Sequence, residues 1–508
     1  MTMLNIEQSI GALLSAQAQR TPQDIALIDP ETGQQWDYVT LCRAAAQIAQ
    51  QLRDAGAQIG DSVAYAARNS VASAVAILGA MYGGYRATAI NLVAGPDTID
   101  YVFEHASVRH VLCAQSCRTL LDDSLSTQRQ AALTYLDLDA IVAGLTTAAD
   151  DLMAAHGNAG DDALLMYTSG TTGRPKGVRL SHRNLLAGAA NTVTAHQLSA
   201  ADRALCALPL YHINGLVVTL LAPLLSGGSV VIPPQFSVSS YWKTLHSHRC
   251  SWFSLVPTQI GYLLHHAEGL PDSHPGVLRF GRSASAPLAP EVHRQFETLV
   301  GVPVIETMGL TETAAQILSN PLPPGERRIG SPGLPYGNEV SIRNVSDGTE
   351  CTPEQEGEIW IRGDNVMQGY LHNPEATAAS LNADGWLCSG DLGRCDADGY
   401  IYVTGRLKEL IIKGGENIAP REIDEVLYRH PHVIEAAAFA RPCQNYGQQV
   451  EAAVVLREEA EVDETALLAL CKERLGSFKC PQRIHLVSSL PKGPSGKVQR
   501  LRLAQQFD

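Results

Sequence analysis

The sequence predicts an α/β fold, with a large N-terminal domain of stacked sheets and helices and a small α+β domain after it. Two observations support this. Helical and apolar-strand patterns alternate early in the chain, as in the strand candidate 61–66 and the helical run 70–82, and such alternation is typical of layered α/β architectures. The pattern changes after about residue 320, where prolines and a glycine in 321–325 precede short β-rich segments.

The other elements follow the same alternation. In chain order they are helices at 6–19 and 44–54, a strand at 163–167, a helix with Ser181 as its N-cap, strands at 229–232 and 251–256 with a helix between them, and strands at 358–362 and 400–403. Residues 406–409 form a charged step between two strand candidates. The domain boundary is therefore placed at Lys408, which gives domains 1–407 and 408–508.

The composition indicates a globular protein and excludes some partners. Hydrophobic residues make up 45% of the 508 residues and the formal net charge is −14. A nucleic acid, whose phosphates need clustered cations, is therefore not an expected partner. Eleven cysteines without a CxxC pair indicate reduced thiols and a cytoplasmic location. The apolar stretches 71–90 and 213–233 are interrupted by Arg86 or by Pro223 and glycines, which favours buried elements over membrane spans.

A glycine-rich loop after the strand candidate 163–167 carries the strongest chemical signal. Segment 167–177 alternates glycines with hydroxyl side chains and ends in a lysine and a glycine. Glycines let the backbone approach a ligand closely, so such a loop suits a polyphosphate, although the GxxxxGK[ST] pattern of a P-loop is absent. The predicted phosphate-binding residues are Thr168, Ser169, Gly170, Thr171, Thr172, Gly173 and Lys176.

This loop resembles the phosphate loop of the adenylate-forming superfamily, which includes acyl-CoA synthetases, luciferases and peptide-synthetase adenylation domains. Further segments match the family's motifs in the family's order, so the resemblance covers nearly the whole chain. They are Thr-Met-Gly-Leu-Thr-Glu at 307–312, Ser-Gly-Asp at 389–391, Gly-Arg-Leu-Lys-Glu at 405–409, Gly-Gly-Glu-Asn at 414–417 and Pro-Lys-Gly-Pro-Ser-Gly-Lys at 491–497. The resemblance implies the adenylate-forming enzyme fold and an ATP-dependent ligation of a carboxylic acid to coenzyme A.

The expected chemistry explains why these residue types are needed. Attack of a carboxylate on the α-phosphate of ATP builds negative charge on phosphorus, so the site must supply positive charge and a divalent metal. Lys497 matches the family's catalytic lysine, which bridges the carboxylate and the α-phosphate. Glu312 matches its Mg²⁺-binding glutamate and Thr311 its phosphate-contacting hydroxyl.

The resemblance also implies a nucleotide site. Thr307, Met308 and Gly309 match the adenine loop. Asp391 matches the ribose-binding aspartate and Arg406 a second ribose or phosphate contact. Met308 departs from the family's usual aromatic residue, but a thioether can still pack on adenine.

The C-terminal domain is expected to move between two half-reactions. Lys408 falls where the family has its hinge residue. The resemblance implies that Lys497 serves adenylate formation. After rotation, Gly414, Gly415 and Glu416 would face the site and help to form the CoA tunnel.

The acid pocket is predicted from three segments, 252–258, 282–285 and 319–325, which look most like the branch of the family that activates oxalate. A small doubly anionic acid needs polar groups around it, because an unpaired buried charge is costly. The candidates for this pocket are His212, Arg282, Ser283, Ser285 and Ala315. Ala315 stands where the oxalate branch has a histidine, which leaves more room. A slightly larger acid such as sulfoacetate is therefore predicted rather than oxalate itself.

Other functions remain open at this point. An apolar pocket for a medium-chain or aromatic acid is the main alternative, with Arg282 in a structural ion pair. An adenylation enzyme that loads a carrier protein is less well supported, because Lys408 and 414–417 resemble acyl-CoA synthetases and no carrier domain is expected after Lys497. A non-catalytic nucleotide sensor would not need these catalytic positions. No membrane partner is expected, and a homodimer is compatible with the sequence.

Overall fold

The computed structural model describes residues 4–144, 154–168, 174–266, 277–457, 462–493 and 498–507. The strands are β1 (Ile25–Ile28), β2 (Gln35–Asp37), β3 (Ser62–Ala66), β4 (Arg86–Ala89), β5 (His110–Cys113), β6 (Thr134–Asp137), β7 (Asp162–Thr168), β8 (Lys176–Ser181), β9 (Arg203–Leu205), β10 (Ser229–Val231), β11 (Trp252–Leu255), β12 (Phe280–Ser283), β13 (Val304–Leu310), β14 (Ala315–Ser319), β15 (Leu334–Pro335), β16 (Glu339–Arg343), β17 (Gly357–Arg362), β18 (Gly369–Tyr370), β19 (Leu387–Cys395), β20 (Ile401–Arg406), β21 (Ile411–Lys413), β22 (Glu416–Ile418), β23 (Val433–Cys443), β24 (Gly447–Leu456) and β25 (Arg483–Leu486).

The helices fill the connections between these strands. They are α1 (Ile10–Arg20), α2 (Tyr38–Asp54), α3 (Val71–Tyr82), α4 (Pro96–His105), α5 (Gln115–Ser124), α6 (Thr127–Ala131), α7 (Leu138–Ala143), α8 (His182–His196), α9 (Ala222–Ser226), α10 (Tyr241–Ser247), α11 (Pro257–His265), α12 (Pro290–Val300), α13 (Pro374–Ser380), α14 (Pro420–Leu427), α15 (Glu464–Lys479) and α16 (Arg500–Gln506). A π-helix spans Asn214–Leu221, and 3₁₀ turns span Thr311–Thr313 and Leu407–Glu409.

Two large sheets form most of the N-terminal part. In the described segments, a nine-stranded sheet has the order β15-β14-β13-β12-β11-β9-β10-β1-β2, and a seven-stranded sheet has the order β18-β8-β7-β4-β3-β5-β6. The pairs from β1 through β13 in the larger sheet are parallel, and β14 runs antiparallel to β13. The carboxyl ends of β11, β12 and β13 therefore meet at one edge, where ligands of open α/β sheets bind.

Two smaller sheets follow, so the predicted α/β order with a β-rich C-terminal part is confirmed. β16, β17, β19 and β20 form one antiparallel sheet, and β21 to β25 form the last sheet. Two apolar clusters are made of residues that follow Lys408, from Ile411 to Phe507. The division at 407/408 stays a prediction, and it falls between these clusters and the main core.

Helix caps explain most differences from the sequence-based boundaries. Ser181 caps α8 as predicted, because its hydroxyl accepts from the Asn184 backbone N–H at 3.1 Å. Ser70 caps α3 rather than belonging to it. The helix predicted at 6–19 starts only at Ile10, after the cap Ser9, and the one predicted at 44–54 starts earlier, at Tyr38, after the cap Asp37.

The two apolar stretches are buried in the fold. α3 lies in the main core with nearly all its side chains inaccessible, and 213–233 contributes the π-helix, α9 and β10. No helix in the described segments is long and apolar enough to cross a membrane. His182, for which no role was predicted, is buried at the start of α8, and its Nδ1 accepts from the Ile10 N–H at 3.2 Å. This histidine therefore joins α8 to α1.

Candidate active site

A cleft of about 430 Å³ opens at the carboxyl edge of β11 to β13 and faces the C-terminal part of the chain. Its N-terminal wall includes Ser285 and Met308. Its opposite wall includes Asp424, Val498 and Arg500. Leu255, Ser283 and Glu306 are paired across β11, β12 and β13. The segments that follow these residues therefore leave the sheet at the same edge and form the first wall. The lining therefore combines residues of both predicted domains.

The motif at 307–312 forms one side of this cleft. Thr307, Met308 and Gly309 lie on β13 and line the cleft. The Thr307 hydroxyl donates to the Ser283 carbonyl at 3.2 Å, which joins β13 to β12. At Gly309, a Cβ atom would lie 1.9 Å from the Ala315 carbonyl oxygen. β13 and β14 can therefore approach this closely only with glycine at 309.

Gly309→Ala is expected to raise the KM for ATP about tenfold or more and to lower Tm by several degrees, because β14 must move away from the cleft wall. ATP-dependent kinetics and thermal unfolding measure the two effects. Gly160→Ala is the matched control, since Gly160 is exposed and a Cβ there meets nothing within 4 Å. An unchanged KM for ATP would show that the close approach of β14 does not shape the nucleotide site.

Asp391 and Arg406 face each other on the paired strands β19 and β20. The Arg406 Nε donates to Asp391 Oδ1 at 2.5 Å, and its second nitrogen lies 3.4 Å from Oδ2. Asp391 is buried, and its charge raises the pKa of Arg406. Both oxygens of Asp391 already accept one hydrogen bond, but a carboxylate has about four acceptor positions. Capacity therefore remains for the ribose hydroxyls predicted to bind here.

Glu312 lies in the 3₁₀ turn after β13 and contacts a tyrosine. The Tyr370 hydroxyl donates to Glu312 Oε1 at 3.0 Å, and the Lys176 ammonium lies 4.6 Å from the centre of the Tyr370 ring. Burial, and then the Glu312 charge, raises the pKa of Tyr370, so the phenol stays a donor. The structure thereby brings the lysine of the glycine-rich loop close to the predicted metal glutamate.

Arg282 is the most unusual residue near the cleft. It lies on β12, is 2% exposed, and pairs with no carboxylate among the residues that the structure describes. All its partners are neutral oxygens: Asn214 Oδ1 at 2.9 Å and Ser254 Oγ at 3.0 Å from Nη1, and Gln316 Oε1 at 3.3 Å from Nε and 3.2 Å from Nη2. Burial lowers the pKa of Arg282 to about 9.

Two comparisons with family models bear on these observations. The model described as AMP-binding enzyme matches residues 14–371, and the model of the AMP-binding enzyme C-terminal domain matches residues 422–497. This chain belongs to the AMP-binding enzyme family. The resemblance to the adenylate-forming superfamily is therefore confirmed.

Curated relatives and solved structures cover nearly the whole chain of this family member. It is 46% identical over 503 residues to a sulfoacetate–CoA ligase of Cupriavidus necator, covering 97% of each chain. It is 35% identical over 474 residues to an oxalate–CoA ligase of Arabidopsis thaliana, covering 92% of this chain and 91% of the relative. ATP-bound MatB from Rhodopseudomonas palustris has a TM-score of 0.90 at 31% identity, with 99% of both chains covered.

A further solved structure is the o-succinylbenzoate CoA synthetase MenE from Bacillus subtilis with its acyl-adenylate, at a TM-score of 0.86 and 30% identity, with 98% of both chains covered. These likenesses confirm the adenylate-forming enzyme fold. Together with the family, they identify the chain as an AMP-forming acyl-CoA ligase. Acyl-CoA ligases of this family use ATP and CoA as substrates, as predicted.

The other predicted pocket residues differ in their burial and in whether they line the cleft. Ser285 lines it, with φ at +73°. Ser283 is fully buried, and its hydroxyl oxygen has no hydrogen-bond partner among the described residues. His212 is half-buried, with its ring 4.7 Å from that of Tyr211. Ala315 is buried at the start of β14. The pocket role of these four residues stays a prediction.

The structure describes part of the segments that are predicted to rotate or to bind phosphate. Lys408 is exposed in the middle of the 3₁₀ turn Leu407–Glu409. Gly414 and Gly415 form the turn between β21 and β22, and this turn with Glu416 is exposed and absent from the described cleft wall. Residues 169–173 and the catalytic candidate Lys497 lie outside the described residues, whereas Thr168 ends β7 and Thr311 starts the 3₁₀ turn after β13.

Sequence reasoning missed four polar residues at this site: Asn214, Ser254, Gln316 and Tyr370. Ser254 lies within the pocket segment 252–258, Asn214 lies two residues after His212, and Gln316 follows Ala315 directly. Nothing in their spacing indicates that the first three surround one arginine. Tyr370 lies between two motifs, and only its contact with Glu312 distinguishes it.

Proposed function

We propose that this ligase joins CoA to a small carboxylic acid that carries a second anionic group, with sulfoacetate as the first candidate. The observation that carries this proposal is the buried Arg282, which is surrounded by neutral partners and linked by hydrogen bonds to the cleft. The 46% identity to a sulfoacetate–CoA ligase supports the same substrate.

The charge of Arg282 explains the preference. With a pKa of about 9, this side chain stays protonated at neutral pH. Burying a cation without a counter-charge is costly, so such a residue stabilises whichever ligand brings an anion close to it. The apolar-pocket alternative assumed an ion pair that would neutralise Arg282. The described residues around it contain no such carboxylate, which argues against that alternative.

The first half-reaction forms the acyl-adenylate. A carboxylate oxygen of the acid attacks the α-phosphate of ATP, the phosphorus–oxygen bond to the leaving group breaks, and diphosphate departs. We assign Lys497 to the charge on the α-phosphate, Asp391 and Arg406 to the ribose, and Lys176 to the polyphosphate. These groups act mainly by positioning and electrostatic stabilisation, as expected for transfer at phosphorus.

Mg²⁺ is proposed to arrive with ATP. Glu312 has one oxygen bonded to the Tyr370 hydroxyl, and the described residues contain no group of three or more His, Cys, Asp or Glu side chains that would form a metal site. A single carboxylate with phosphate oxygens and waters is a donor set that suits Mg²⁺. When bound, the ion would neutralise charge on the polyphosphate.

The second half-reaction forms the thioester. The CoA thiol loses its proton, its sulfur forms a bond to the acyl carbon, the bond from that carbon to the phosphate oxygen breaks, and AMP leaves. The arrangement of the C-terminal part supports the view that this structure corresponds to adenylate formation. Val498 and Arg500, which follow Lys497, line the cleft, whereas the turn 414–416 is exposed. We propose that rotation at Lys408 moves the segment that follows Lys497 away from the cleft and brings the turn 414–416 to it. We also propose that the enzyme is cytoplasmic and that it forms a homodimer.

The substrate proposal is tested by steady-state kinetics with sulfoacetate, oxalate, malonate, hexanoate and benzoate, read as AMP release with CoA present. We expect kcat/KM for sulfoacetate to exceed that for hexanoate and benzoate by about 10²-fold or more, because a site built for a polar group rejects ligands that lack it. A preference for hexanoate or benzoate would contradict the proposal.

A further inference from the structure

We propose that Asn214 is a positioning residue that makes the Ser285 hydroxyl a hydrogen-bond donor toward the second anionic group of the acid. This inference rests on the proposed function and adds to it the device that selects the substrate. Asn214 lies at the start of the π-helix, 7% exposed, between Arg282 and the cleft.

The orientation of the Asn214 amide follows from its partners. Its Oδ1 accepts from Arg282 Nη1 at 2.9 Å and from Ser254 Oγ at 3.3 Å. A guanidinium group has five donors and no acceptor, so it can face only the oxygen of an amide. The Nδ2 group of Asn214 must therefore point the other way, toward Ser285.

Further hydrogen bonds hold the Arg282 guanidinium in its position beside this amide. Its Nε and Nη2 both donate to Gln316 Oε1, which also lies 3.1 Å from His196 Nε2. His196 is fully buried, and its pKa lies well below the usual value because of burial and the Arg282 charge. The ring is therefore neutral. These contacts fix the guanidinium from the side opposite to Asn214.

Ser285 receives the next hydrogen bond and lines the cleft. Asn214 Nδ2 lies 3.3 Å from Ser285 Oγ and donates to it. A serine hydroxyl has one proton, so an oxygen that accepts from an amide directs its own O–H elsewhere. The backbone of Ser285, at φ +73°, is in a region that residues other than glycine rarely adopt. Such conformations persist where the surrounding structure imposes them, often at functional sites.

The hydrogen bonds thus run in one direction, from Arg282 to Asn214, from Asn214 to Ser285, and from Ser285 into the cleft. A chain of this kind ends in a donor, and only an acceptor satisfies it. A sulfonate or carboxylate oxygen meets this requirement and also benefits from the Arg282 charge. An alkyl group of the same size would leave the hydroxyl unpaired in a desolvated pocket.

Asn214→Asp tests this chain of hydrogen bonds, which we call the relay. The variant keeps the shape of the side chain but replaces the amide donor with a second acceptor oxygen. Aspartate pairs with Arg282, offers no donor to Ser285, and invites the hydroxyl to donate to it instead. Selectivity is the ratio of kcat/KM for sulfoacetate to that for 3,3-dimethylbutanoate, in which a tert-butyl group replaces the sulfonate. We expect the ratio to fall about 30-fold or more, mainly through the KM for sulfoacetate.

Ser285→Ala is the second variant and removes the terminal donor. It should lower the same ratio, and the double variant should lose less than the product of the two single effects, because both act through one hydroxyl. Thermal unfolding checks that each variant folds, and Ser285→Ala tests the relay if Asn214→Asp does not fold. Wild-type enzyme that prefers hexanoate contradicts the proposed function. Wild-type preference for sulfoacetate with an unchanged ratio in Ser285→Ala and in any folded Asn214→Asp contradicts the relay alone.

Discussion

Lys497→Ala is expected to slow adenylate formation by roughly 10²-fold or more and to leave thioester formation from supplied acyl-adenylate near the wild-type rate. The lysine would stabilise the charge that develops at the α-phosphate, and after rotation it would lie away from the acyl carbon. ATP–diphosphate exchange measures the first half-reaction, and acyl-CoA formation from synthetic adenylate measures the second.

The residues around Lys497 support this expectation although the lysine itself lies outside the described residues. Lys492 and Val498 form an isolated antiparallel bridge, and Val498 lines the cleft. Arg500, three residues after Lys497, forms an ion pair with Asp424 and donates to the Ala438 carbonyl at 2.8 Å. The described segment that follows Lys497 is therefore anchored on the last sheet.

The control for this variant is Lys472→Ala, which removes the same charge from an exposed position on α15. It should leave both half-reactions within about twofold of wild type, as is usual for surface substitutions. Equal losses in both half-reactions of Lys497→Ala would contradict the assigned role, because a residue used in one step only cannot slow both alike.

The sequence predicts well what depends on contiguous residues. Segment 307–312 and the N-cap at Ser181 are local patterns, and the structure has them as β13 with its 3₁₀ turn and as the start of α8. The helix starts at Tyr38 and Ile10 differ from the prediction because the N-caps Asp37 and Ser9 determine them. A single aspartate or serine before an amphipathic run gives little signal in the sequence.

The environment of Arg282 could not be predicted in the same way. Asn214 is 68 residues away along the chain, in the π-helix, and Gln316 is 34 residues away, on β14. Only the tertiary fold brings these two elements to the guanidinium on β12. The sequence left open whether Arg282 had an ionic partner. That question depends on which side chains three separate segments present to it, which is decided by tertiary packing.

The position of the C-terminal part is also a tertiary property. The Lys492 ammonium lies 3.3 Å from the Tyr262 hydroxyl on α11 and donates to Glu435 on β23 at 2.5 Å. This contact spans the two parts of the chain beside the cleft. The family resemblance implies two arrangements of the C-terminal part, and only such contacts describe the arrangement in this structure.

Lys408→Pro is expected to retain adenylate formation and to reduce CoA transfer by roughly 10²-fold or more. Lys408 lies in a 3₁₀ turn, whose φ values are close to the −65° that proline imposes, so the present arrangement tolerates the ring. The predicted rotation would need a change in φ at this residue, and proline fixes φ. Single-turnover measurements of adenylate and acyl-CoA separate the steps. Lys408→Ala removes the charge but keeps φ free, so it should transfer far faster than the proline variant. Normal acyl-CoA formation by Lys408→Pro would show that the chain pivots elsewhere.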